Sequence, residues 1–125
     1  MLYTNLNHIE TAADLAKRIS ENENAVVICG RMGPMCIPVY RIAEELEEDY
    51  KHVKFFDMEF DNPESNVIRS LSEVESFTGI PFTIYYKNGK VVKASGSIQS
   101  KPQITAVLDK EFAAALNAQY NESNT

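Results

Sequence analysis

Residues 25–29 read Ala-Val-Val-Ile-Cys, a run without one polar side chain. Its length and β-branching predict a strand buried on both faces. Such a strand belongs in the middle of a sheet, with helices covering both sides. The run is far too short to cross a bilayer, and so is every other apolar run in the chain.

The flanking segments supply those helices. Ile9, Ala12, Ala13, Leu15, Ala16 and Ile19 recur at helical spacing, with Glu10 or Thr11 near the start, and predict a helix over residues 9–19. After a turn at residues 30–34, Val39, Ile42, Ala43, Leu46 and Tyr50 mark the inner face of a second helix. Pro38 is tolerated only in its first turn, which puts the helix start near Pro34 or Met35. Val53, Phe55, Met58 and Phe60 predict a strand over residues 53–60, ended by Asp61-Asn62-Pro63. Val67, Ile68, Leu71 and Val74 predict a third helix over residues 64–77. Residues 82–86 and 90–94 read as strands joined by Asn88-Gly89, a strong hairpin signal. Ile104, Val107, Leu108, Phe112 and Leu116 line a last helix over residues 101–117. The order is strand, helix, strand, helix, strand, then helix, hairpin, helix. That order predicts an α/β fold with parallel pairs, right-handed crossovers and an antiparallel edge.

With 125 residues the chain fits one domain, residues 1–120, followed by a polar tail at 121–125. A chain of this size buries a core without metals or disulfides. The net charge of −6 excludes a nucleic-acid or anionic-membrane partner, because either requires a basic face. Residues 1–10 hold neither a basic nor an apolar leader segment, so the expected location is the cytoplasm. Cys29 and Cys36 are the only cysteines and make no secreted disulfide framework. In a reducing compartment they are catalytic, metal-binding or merely packed. His8 and His52 lack ligand spacing and are expected at the surface, which leaves no zinc site. The acidic run from Glu44 to Asp49 reads as a solvated helix face.

The segment Gly79-Ile80-Pro81-Phe82-Thr83-Ile84-Tyr85-Tyr86-Lys87-Asn88-Gly89-Lys90 resembles the thioredoxin family's Gly-Ile-Pro, apolar strand and Lys-Asn-Gly turn. Asp61-Asn62-Pro63 is similar to the acidic turn after the family's third strand, and Ser95-Gly96 to its glycine region near the last helix. The likeness covers nearly the whole chain. It implies the thioredoxin fold, a central mixed sheet of about five strands flanked by about four helices. It also implies that Pro81 is cis and faces the site, where a partner's extended segment pairs with the adjacent backbone.

The active-site segment departs from the family's Trp-Cys-Gly-Pro-Cys. This chain has Cys29-Gly30-Arg31-Met32-Gly33-Pro34-Met35-Cys36. Aligning the Gly-Pro pairs puts Met32 and Met35 on the two cysteine positions. Aligning the helix core instead puts Gly33 on the first and Cys36 on the second. The second register is preferred, because the first sends Arg41 into the core. In both, the exposed first cysteine is gone. The acid that the family buries on its second strand is missing too, since Val26 and Val27 flank that position.

A disulfide reductase attacks with an exposed thiolate and releases product with a second thiol. Glycine and methionine cannot attack as thiolates, so the usual two-step reaction is not expected. The principal reading is an atypical thioredoxin-like protein of cell redox homeostasis, with no cofactor. Its thiol-exchange site is Cys36 at a helix N-terminus, with Cys29 as a second candidate. Met32, Gly33, Pro34, Met35, Ile80 and Pro81 would receive a protein or peptide partner. The alternatives are a non-catalytic peptide-binding module and a Cu(I) site of Cys29, Met32, Met35 and Cys36, since soft sulfur suits Cu(I).

Overall fold

The computed structural model describes residues 2–112. Its five-stranded sheet runs in the order β1-β3-β2-β4-β5. The opening strand β1 is Asn7–Ile9, so Ile9 ends a strand and does not start the first helix. Helix α1 is Ala12–Glu21. The Thr11 hydroxyl caps it by accepting from the Asp14 N–H at 3.0 Å, an N-terminal signal one turn later than the apolar spacing suggests. The wholly apolar run lies within β2, Asn24–Gly30, and all seven residues are buried. Strand β3 is Lys54–Glu59, β4 is Phe82–Lys87 and β5 is Lys90–Gly96. β3 pairs in parallel with both β1 and β2, while β4 runs antiparallel to β2 and β5. Asn88 (φ 51°) and Gly89 (φ 81°) make the hairpin turn, the positive-φ pair this short loop requires.

Side chains on a strand alternate between faces, and β2 divides the core accordingly. Val26 and Ile28 pack with α2 (Ile37–Asp49), α4 (Lys101–Glu111) and the N-terminal residues Leu2 and Leu6. Ala25, Val27 and Cys29 pack on the other face with Leu15 of α1, Ile68 of α3 (Asn66–Arg69) and Val74.

Three further expectations need correction. Helix α2 starts at Ile37, later than Pro34 or Met35, with Pro38 in its first turn; its buried stripe is Val39, Tyr40, Ala43 and Leu46, while Ile42 and Tyr50 are only half-buried. The single third helix does not form. Residues Pro63–Ser65 and Ser72–Val74 are 3₁₀ turns, and α3 between them has four residues. The Ser70 hydroxyl donates to the Asn66 carbonyl at 2.5 Å and Leu71 is extended (ψ 139°), so side-chain bonding competes with the helix there. Finally, the histidines are half-buried anchors. His8 Nδ1 lies 2.6 Å from Asp57 Oδ1, and His52 Nε2 lies 2.9 Å from the Phe112 carbonyl. The predicted continuation of the last helix to residue 117 and the polar tail lie outside the described residues.

Helix α4 opens on a capping box in which Ser100 and Gln103 satisfy each other's backbone N–H groups. Ser100→Ala is expected to lower the unfolding free energy by about 1 kcal/mol, read as a lower urea midpoint at unchanged slope; an unchanged midpoint would show the cap to be idle.

Candidate functional site

The site is built where β2 ends. Gly30 is its last residue, and the chain then turns through residues 31–36 into α2. The carbonyl of Gly33 accepts from the N–H groups of Cys36 (3.1 Å) and Ile37 (2.9 Å), which closes the turn and starts the helix. Cys36 is the N-cap residue and is 1% exposed. Its Sγ accepts from the Arg31 backbone N–H at 3.4 Å.

A Cβ placed on Gly30 would stand 2.6 Å from the Tyr40 hydroxyl, 2.9 Å from Cys36 Sγ and 3.1 Å from Pro81 Cβ. Three side chains therefore converge on the space left by the missing one. The Ile80–Pro81 peptide is cis. Pro81 is buried, Ile80 is half-buried, and the Tyr40 hydroxyl donates to the Arg31 carbonyl at 3.0 Å.

Gly33, which the preferred register sets on the first cysteine position, faces open space: a Cβ built there meets nothing within 4 Å. Met32 is half-buried, and its Sδ accepts from the Tyr3 N–H at 3.3 Å. Pro34 and Met35 are exposed, Met35 at 45%. Arg41 is exposed while Val39, Ala43 and Leu46 are buried, the arrangement the preferred register requires.

Cys29 is not brought to this place. Gly30 points at Cys36, so its neighbour on the strand points to the opposite face, where Cys29 packs with Ile68 and Phe82. Both cysteines are free thiols. Burial pushes the Cys29 thiol up to about 12, against a smaller opposing effect of a hydrogen bond with Ser65. The four sulfurs of the Cu(I) reading do not converge either, with Cys29 across the sheet and Met35 in solvent.

Sequence reasoning missed two groups. Tyr40 stands one helical turn beyond Cys36, a spacing that would have found it. Asp57 is buried on β3 on the α2 face, two residues after Phe55. It accepts from the Thr4 hydroxyl and pairs with His8 Nδ1 at 2.6 Å. Burial holds its carboxyl above the usual range, and the Thr4 and His8 bonds only partly offset that. At the rim, the Arg31 guanidinium grips Asp61 with two bonds of 2.8 Å and lies over the Phe60 ring, 5.0 Å from its centroid. That pairing holds the Asp61 carboxyl below the ordinary range.

No protein-family model matches this sequence, and no curated protein matches it by sequence. Solved structures do match. The chain is similar to a thioredoxin of Plasmodium falciparum, with 23% identity and a TM-score of 0.71 over 85% of this chain and 99% of that one. A thioredoxin of Fasciola hepatica matches with 25% identity and a TM-score of 0.67 over 84% of this chain and 98% of that one. Thioredoxin f2 of Chlamydomonas reinhardtii matches with 14% identity and a TM-score of 0.68 over 85% and 96%. Sheet order, crossover pattern and these likenesses agree: the chain has the thioredoxin fold.

Proposed function

We propose that this protein exchanges thiols with a protein or peptide partner through Cys36 alone, by a mixed disulfide, and that it is not a standard disulfide reductase. The observation that carries the reading is the setting of Cys36 Sγ: at the head of a 13-residue helix, accepting an N–H, and bordering with Pro81 the space above Gly30. Helix N-termini and N–H donors favour a thiolate. The absence of a side chain at Gly33 removes the second sulfur of an internal dithiol. Release must therefore come from a thiol outside the chain, other than the partner sulfur just displaced, such as a small thiol.

Cys36 is 1% exposed, so a partner reaches its sulfur only when the turn at residues 31–35 opens. That turn is the thin part of the wall, since Pro34 and Met35 are exposed and Gly33 fills no space. Cytoplasmic redox homeostasis suits this chemistry, because a reducing compartment supplies small thiols. The exposure of Met35 and the half-burial of Ile80 favour a second reading, a non-catalytic module that docks a peptide by adaptable apolar contact.

Three outcomes test these readings. Oxidised glutathione is expected to add one glutathione to the native protein, at Cys36 by peptide mass, and none to Cys36→Ser. Wild-type protein that takes up no glutathione while native would overturn the exchange reading and leave the docking module. Cys29 stays protonated at pH 8, since its thiol titrates near 12, and is expected to resist alkylation until the protein unfolds. Gly33→Cys restores a sulfur three residues before Cys36 in open space. It is expected to form a disulfide with Cys36 and to raise insulin reduction at least tenfold over wild type; two thiols that stay free under oxidation would refute the preferred register.

A further inference from the structure

Cys36 shares its corner with a phenol. Tyr40 is fully buried; its hydroxyl donates to the Arg31 carbonyl at 3.0 Å, and it and the Cys36 sulfur border the same space above Gly30, 2.6 and 2.9 Å from a Cβ built there. Burial, and then the sulfur, push the Tyr40 phenol far above its usual range, so it keeps its proton throughout the physiological span. A phenol O–H has one proton to give. Beside a neutral thiol it gives that proton to the Arg31 carbonyl, as seen here. Beside a thiolate, the charged acceptor is the stronger one.

We propose that Tyr40 is a positioning residue for exchange at Cys36, its hydroxyl turning from the Arg31 carbonyl to the sulfur whenever Cys36 carries the negative charge. The proposal rests on the exchange reading above. The Arg31 N–H, 3.4 Å from Sγ, is the second donor. Together they hold the thiolate in a corner that Gly30 keeps open, since any Cβ there would collide with both the hydroxyl and the sulfur.

The two donors act at both ends of a cycle. First, the Cys36 thiol releases its proton to water, and the thiolate bonds to one sulfur of a partner disulfide. That S–S bond breaks, and the departing partner sulfur takes up a proton. Second, the thiolate of a small thiol attacks the partner's sulfur in the mixed disulfide and forms a new S–S bond with it. Cys36 leaves with the electron pair, and the Tyr40 hydroxyl and the Arg31 N–H receive it.

The test is Tyr40→Phe, with oxidised glutathione as probe and the adduct at Cys36 counted by mass. At pH 7 the rate is expected to fall about tenfold, the effect of losing one hydrogen bond to a charged group. The deficit should close as pH rises, because a less stabilised thiolate is the better nucleophile once formed. A purely structural role would lower the rate equally at every pH. In the wild-type protein, infrared difference spectra between low and high pH should carry a tyrosine C–O band that is missing from Cys36→Ser, a measurement that stands even if Tyr40→Phe does not fold. An unchanged pH–rate profile in folded Tyr40→Phe, or no tyrosine band, would overturn the role of Tyr40 while leaving exchange intact. Wild-type protein that never takes up glutathione would instead overturn the exchange reading, and this role with it.

Discussion

Burial of β2 on both faces is the constraint that organises the rest. A strand whose side chains all leave water must have strands at both edges and helices over both faces. β3 and β4 fill the first requirement, and α2 with α4 and α1 with α3 fill the second. Strict alternation along that strand then decides the chemistry. It assigns Cys29 to one layer and the vacancy at Gly30 to the other, so two cysteines close in sequence lie on different sides of a sheet. Strand geometry thus keeps the two sulfurs apart.

Among the described residues the one buried carboxylate, Asp57, lies on β3. Asp57 on β3 is held by Thr4 and His8, so its contacts run toward the N-terminal segment. Leu2 and Leu6 pack in the same layer as Cys36 and Tyr40, and Asn5 N–H donates to Glu44 of α2 at 2.6 Å. Glu44, read as part of a solvated acidic face, is therefore an anchor with a partner on each side, Asn5 and Arg41. The corner between β2 and α2 is braced by residues from the start of the chain, the helix and the third strand together.

Much of the fold was legible because its signals are local. The apolar run of β2, the Asn88-Gly89 turn and the spacing of α4 each depend on near neighbours alone. The failures were where side chains compete with backbone. Ser70 draws on the Asn66 carbonyl and breaks a segment whose Val67, Ile68, Leu71 and Val74 have good helical spacing. Ile9 fits a helical pattern and pairs in a strand, because β3 offers it a partner 49 residues away in Met58. For the site, residues 30–36 show which side chains stand in the turn and nothing of how deeply Cys36 is buried. The separation of Cys29 from Cys36 required the phase of β2, and the places of Tyr40 and Asp57 required knowing which side chains meet across the sheet.

The sheet's rims have one further property. β1 has only three residues, and β5 at the other rim presents exposed Lys90 and Lys93 beside a register shift between Tyr85 and Tyr86. A second molecule seeking to extend the sheet would find one rim too brief to template it and the other charged and unevenly spaced. Both rims thus carry features that oppose edge-to-edge pairing of one sheet with another.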